Sequence, residues 1–290
     1  MKLLDGKMSN YGFAILDACT IINILRIDDE DDFLFKQIQQ LEIRLPKIIL
    51  EEANKNRRKR RVDESKEHQI DQNISLLYAC YENLDEYKKD GTIKSIIEFS
   101  QHTKKENGEL CATALALKLS REWNTRVYFY TDDFPAKKEF ADYFGYQQIG
   151  HIQDSVDLLI FLYRLNEPYV FPKQRLQQYL SLLSAEYIVS FKKMVDAAKE
   201  YKQKHTSPHE KKRDRELYFA IENVISGFYN VEPVSFKKGI DFFKAHKGKS
   251  KEIDEIISEY SSDSMWDIEI CKKIRGVLAH MNKYEIIQRS

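Results

Sequence analysis

Six carboxylates in the first half of the chain occupy positions from which acid chemistry is built. Asp17 follows the apolar run Phe13-Ala-Ile-Leu16, and Glu51 and Glu52 follow Leu45-Pro-Lys-Ile-Ile-Leu50. Glu109 follows Gly108, and Asp132 and Asp133 come just after Arg126-Val-Tyr-Phe-Tyr130. Each sits at the end of a strand-like segment or the start of a helix-like one. If those strands are parallel, the ends share one edge, where open α/β sheets bind their ligands. Acids crowded there raise one another's pKa unless a cation neutralises them. Oxygen-only donors suit hard Mg²⁺ or Mn²⁺, and such a site suits water activation and attack on a phosphate. Singly, an Asp after a strand or a Glu opening a helix is also an ordinary capping choice; the order of all of them carries the functional reading.

The elements that must position these acids are legible from pattern. Tyr11-Gly-Phe-Ala-Ile-Leu16 is a continuous apolar run introduced by glycine, which reads as a buried strand. A helix is expected from about Ile21 to Leu25 and another over Phe33–Gln40. A strand should start at Glu42 and end at Pro46, with a helix beginning near Ile48. Apolar residues at Ile70, Ile74, Leu77, Tyr78 and Tyr81 predict one helix over 65–88. Glu109-Leu-Cys-Ala-Thr-Ala-Leu-Ala-Leu is rich in helix formers. A strand at Arg126–Tyr130, a helix over Lys137–Phe144 and a last strand over Gly145–Gly150 complete the alternation. Strands alternating with helices predict a parallel sheet covered on both faces, hence an α/β fold. After Asn166-Glu-Pro only helical periodicities follow, over 173–204, 210–229, 234–246, 250–260 and 265–288. The expected organisation is an α/β domain over 1–167 and an all-α domain over 168–290.

Taken together, these motifs resemble the PIN-domain nucleases over residues 11–165. Phe13-Ala-Ile-Leu-Asp17-Ala-Cys-Thr20 is similar to the family's first element, and Leu45-Pro-Lys-Ile-Ile-Leu-Glu-Glu52-Ala to its second. Gly108-Glu109-Leu-Cys-Ala is similar to the third, and Tyr130-Thr131-Asp-Asp133-Phe-Pro to the fourth. The tail Phe144-Gly-Tyr-Gln-Gln-Ile-Gly150 looks like the final strand and turn. Two features depart from the family: Ala-Cys stands between Asp17 and Thr20, where many relatives carry Ser, Thr or Asn earlier, and 54–105 is long and highly charged. The resemblance implies a three-layer α/β/α parallel sheet followed here by an all-α domain. It also implies metal-dependent hydrolysis of phosphodiesters, of RNA rather than DNA. Asp17, Glu52, Glu109 and Asp133 would ligate Mg²⁺ or Mn²⁺, with Asp132 an auxiliary ligand and Glu51 the fallback for Glu52. Thr131 is a further auxiliary position. Thr20 would either orient a metal-bound water or cap a helix. A toxin or phage-defence role is consistent with this architecture. The alternative is a PIN-fold module that binds RNA or assembles without turnover.

Lys55-Asn-Arg57-Arg58-Lys59-Arg60-Arg61 places six basic side chains in seven residues beside Glu51 and Glu52. Such a run is usually a solvated face; next to an acidic pocket it could instead track a phosphate backbone. Tyr128, Tyr130 and Phe134 are candidate base-stacking rings, the first two also expected in the core. Near the C-terminal end, Lys272-Lys-Ile-Arg275-Gly-Val-Leu-Ala-His280 resembles the Arg-x4–6-His motif of HEPN-type helical ribonucleases, though Gly276 replaces the usual Asn. That resemblance implies a second, metal-independent site at Arg275 and His280. The helical half would otherwise serve a homodimer, an inhibitor or another partner protein.

Composition sets outer bounds. With 46 basic and 46 acidic residues the net charge is zero, which excludes a polycationic coat or an acidic mimic but not a basic strip beside an acidic pocket. Cys19, Cys80, Cys111 and Cys271 include no C-x-x-C pair, so reduced thiols in a cytoplasm are expected. The start MKLLDGKMSN lacks a signal-peptide pattern, and the apolar run Asp157-Leu-Leu-Ile-Phe-Leu-Tyr163 is too short to span a bilayer. A soluble cytoplasmic protein with no membrane partner is the expectation.

Overall fold

The computed structural model describes residues 12–57, 64–89, 91–100, 105–249, 251–258 and 264–283. β1 (Phe13–Leu16) leads into α1 (Ala18–Ile27) and α2 (Phe33–Gln39). The chain then pairs twice in quick succession, as β2 (Glu42–Ile43) and β3 (Leu45–Pro46), before α3 (Lys47–Asn56) and α4 (Glu64–Leu77). A 3₁₀ turn and β4 (Tyr81–Glu82) precede α5 (Asp85–Lys89) and α6 (Thr92–Phe99). α7 (Gly108–Trp123), β5 (Val127–Tyr130), α8 (Phe134–Tyr146), β6 (Gly150–Gln153) and α9 (Ser155–Leu165) follow.

β1 is buried at all four residues, which is why it reads as an unbroken apolar run rather than an alternation. It pairs in parallel with β2 on one side and β5 on the other, and β6 extends the sheet beyond β5. The order β2-β1-β5-β6 reverses direction between β1 and β5, so the crevice past their C-terminal ends is the topological switch point. Leu16 lies opposite Tyr130, and Tyr130 opposite Gln153. The Asp17 amide bonds the Tyr130 carbonyl at 2.9 Å, fixing the strand ends together. α7 supplies much of the cover: Leu110, Ala112, Ala114, Leu115 and Ala116 are fully buried.

Local departures from the expected pattern have physical causes. The strand ending at Pro46 is two short pairings separated by Arg44: β2 on β1, and β3 on β4. The single helix expected over 65–88 ends at Leu77, because the apolar stripe is buried only as far as Ile70, Ile74 and Leu77. Tyr78 and Tyr81 are instead 41 % and 43 % exposed, and Tyr81 belongs to the strand that pairs with β3. The last strand is 150–153, not 145–150; Gly145 and Tyr146 still belong to α8. Gly150 carries φ +155, and a Cβ there would lie 2.0 Å from the Val127 carbonyl oxygen, so the β5–β6 approach admits only glycine. Tyr130 is in the core as expected, whereas Tyr128 is half-buried, packed on Phe161 and His151. α9 opens with a capping box in which the Asp154 carboxylate accepts from the Val156 and Asp157 amides.

Two compact units divide the chain between Tyr179 and Leu180, within the long helix α10 (Lys173–Lys204). The first therefore extends past the 167/168 boundary read from sequence. The first turns of α10 are held to it by Arg175 and Tyr179, which both bond Asp29; the Arg175 guanidinium also lies 3.6 Å from the Phe33 ring centroid. The second unit is helical throughout its described residues, with α11 (Pro208–Arg213), α12 (Arg215–Asn230), α13 (Pro233–Ala245), α14 (Lys251–Ser258) and α15 (Ser264–Lys283). The stretch expected as one helix over 210–229 is split at Asp214. Its core joins Phe191, Val195, Ile221, Phe236, Phe243 and Ile268. α12 and α13 come close because Gly239 packs on the Ala220 carbonyl and Val224. No helix of the described residues is long and apolar enough to cross a membrane.

Candidate active site

Asp17 ends β1 and is 4 % exposed. Its Oδ2 accepts hydrogen bonds from the Thr131 hydroxyl at 3.1 Å and the Cys19 thiol at 2.9 Å. Burial pushes the Asp17 carboxyl above the usual aspartate range, and the charge of Asp133 adds to this. The hydrogen bonds from Cys19, the Ala18 amide and Thr131 pull the other way. Thr131 is itself buried and bridges two acids, donating to Asp17 and accepting from the Asp133 amide at 3.1 Å. Asp133 N-caps α8, its Oδ1 accepting from the Ala136 amide at 3.2 Å. The capping and the acid-site readings of Asp133 thus coexist in one side chain.

Glu52 reaches the site from α3. Burial raises its pKa first and the Asp17 charge second, while the Gly108 amide and the Lys55 charge lower it. A Cβ on Gly108 would stand 2.7 Å from Glu52 Oε2, so the carboxylate rests directly on the start of α7. The next residue, Glu109, has its pKa pushed up to about 8 by burial, then by Asp17, Asp133 and Glu52. Asp17, Glu52, Glu109 and Asp133 come from four different elements and are brought within electrostatic influence of one another. Their location past β1 and β5 coincides with the switch point of the sheet.

The neighbouring acids are used differently. Glu51 is exposed and ion-paired with Lys47 at 3.2 Å. Asp132 accepts from the Ser155 amide at 2.8 Å, the Ser155 hydroxyl at 2.6 Å and the Asn23 amide at 3.0 Å, which ties the β5–α8 loop to α9 and α1. Thr20 lies inside α1, not at its cap, which is Asp17; its hydroxyl is buried without a hydrogen-bond partner. Phe134 opens α8 and is half-buried. Lys55 is exposed one turn beyond Glu52, and Arg57 is bound to Asp71. Arg58, Lys59, Arg60 and Arg61 lie outside the described residues. In the second unit, Arg275 donates to the Tyr229 and Asn230 carbonyls at the end of α12, a helix-capping role; His280 is exposed on the same helix as Arg275.

Sequence reasoning missed Cys19 and the packing role of Gly108. The i, i+2 spacing of Cys19 from Asp17 was the available signal, and the thiol donates rather than acting as a thiolate: burial holds its pKa well above the usual cysteine range. All four converging groups are carboxylates, a donor set that fits a hard divalent cation. Among the described residues, no three His, Cys, Asp or Glu side chains stand in a ready-made metal-holding arrangement. The acids share a field without forming a closed cage. No protein-family model matches this chain, and it matches neither a curated protein nor a solved structure.

Proposed function

We propose that the first unit is a PIN-like, metal-dependent endoribonuclease. The observation that carries this reading is Glu109, a half-buried acid whose proton is held to about pH 8 by desolvation and by Asp17, Asp133 and Glu52. A protein gains nothing in stability from crowding four carboxylates at a ligand-binding edge, and such clusters of perturbed groups concentrate at functional sites. Asp17, Glu52, Glu109 and Asp133 would hold Mg²⁺ or Mn²⁺, which supplies an acidified water and offsets negative charge on the scissile phosphate. Thr131 orients Asp17 and the Asp133 backbone together. The Gly108 amide steadies Glu52, and the Cys19 thiol occupies the same Asp17 oxygen as Thr131. Lys55, close enough to Glu52 to lower its pKa, is placed to meet a phosphate of the strand.

Asp17→Asn and Asp133→Asn should each abolish Mg²⁺- or Mn²⁺-dependent cleavage of single-stranded RNA while far-UV circular dichroism stays unchanged. Full activity in both variants would overturn the assignment. Retained RNA binding without turnover in any divalent metal would instead favour a non-catalytic module.

A further inference from the structure

We propose that the second unit carries a nucleotide-binding pocket at the seam of α12 and α13. A cavity of about 690 Å³ lies there, inside the range of roughly 300–1,000 Å³ typical of small-molecule sites. Three rings line it: Tyr218, Phe219 and Phe242. Two of them are fixed. The Tyr218 hydroxyl donates to the His205 carbonyl, and Phe242 stacks on His246 with centroids 4.1 Å apart. Phe219, in contrast, is 65 % exposed and offers an uncovered ring to the cavity mouth.

Two polar features of the same lining point to what such a ring would meet. Asn223 is half-buried, and its amide nitrogen is out of contact with solvent and without a hydrogen-bond partner, a costly state that turning the amide toward an acceptor on a ligand would relieve. Arg215 and Lys238 also line the cavity, and neither is ion-paired with a carboxylate among the described residues. Of the acids in the lining, Glu222 is already neutralised by Lys202, and Glu216 is outnumbered by the two cations. A stacking ring, a buried donor and unpaired positive charge together select a planar ligand with an acceptor edge and an anionic group. A purely apolar ligand would leave the amide and the cations unused, and a bare phosphate would leave the rings unused. A nucleotide satisfies all three: the base stacks on Phe219, its edge accepts from Asn223, and its phosphate faces Arg215 and Lys238. The same chemistry belongs to a free mononucleotide and to one residue of an RNA strand. No residue is shared with the carboxylate site, so this inference does not rest on the nuclease reading.

The test uses the full chain carrying Asp17→Asn, so that a bound strand is not consumed. AMP, GMP, CMP and UMP, their nucleosides, and a fluorescein-labelled single-stranded RNA of mixed sequence are titrated by calorimetry and anisotropy. Saturable binding of a mononucleotide, weakened at least roughly tenfold by Phe219→Ala and by Lys238→Glu, is expected. Both residues are exposed, so neither substitution opens the core. Binding of the RNA alone with the same sensitivity to both variants also supports the pocket and identifies the strand as the source. No saturable binding of any probe, binding indifferent to both variants, or nucleosides bound as tightly as their nucleotides would overturn the proposal.

Discussion

Glu109→Gln should stabilise this protein while removing the proposed metal-dependent cleavage. In the folded chain the Glu109 carboxyl keeps its proton to about pH 8, against an ordinary value of 4.5. The sign follows from linkage: as pH rises above 4.5 the unfolded chain ionises while the native one does not, so native stability falls until about pH 8. At about 1.36 kcal/mol per pH unit, the loss reaches roughly 3 kcal/mol at pH 7 and roughly 4 kcal/mol at pH 8, where the native carboxyl is half ionised. Glutamine keeps the shape and removes the ionisation, so the variant escapes this loss. The assay is urea unfolding in EDTA at pH 5, 6, 7 and 8, read by pulsed hydrogen exchange on peptides from residues 108–130, which report the first unit alone. The stability curves of parent and variant should lie within about 1 kcal/mol of each other at pH 5 and diverge with rising pH, the variant higher. Parallel curves, or a variant less stable than the parent at pH 8, would refute the burial of Glu109 among like charges. In added Mg²⁺ the parent should recover the difference and the variant should not.

Gly108→Ala puts a methyl group 2.7 Å from Glu52 Oε2, so divalent-dependent cleavage should fall at least roughly tenfold, measured beside an unchanged melting temperature. Gly150→Ala meets the Val127 carbonyl at 2.0 Å and should destabilise the first unit by roughly 2–3 kcal/mol in denaturant titrations. Arg275→Ala loses bonds to the Tyr229 and Asn230 carbonyls and should cost about 1 kcal/mol in the second unit with cleavage intact. Cleavage lost in that variant, with stability preserved and EDTA without effect, would move the chemistry to Arg275 and His280.

What the amino-acid order determines here is largely local. β1, α7 and β5 are legible because apolar runs, alanine-rich helices and β-branched or aromatic strands express short-range preferences that burial reinforces. The positions of Asp17, Glu109 and Asp133 follow, since chain direction alone places them after strands or at a helix start. Tertiary structure decided which of two adjacent acids turns inward. Successive helical residues differ by about 100° in direction; the i, i+4 pair Lys47–Glu51 is local to α3, but only the packing of α3 against the rest of the first unit sends Glu52 toward Asp17. It decided likewise that Asp132 ties Ser155 and Asn23 while Asp133 caps α8 in contact with Thr131. The pairing of β3 with β4 was also beyond local pattern, because it joins two-residue segments 36 positions apart. Arg275 sat in a suggestive spacing to His280, yet its partners are carbonyls of another helix, which no spacing along one chain segment can specify. Order along the chain sets which groups reach an edge; the relative phase of packed elements sets which of them meet.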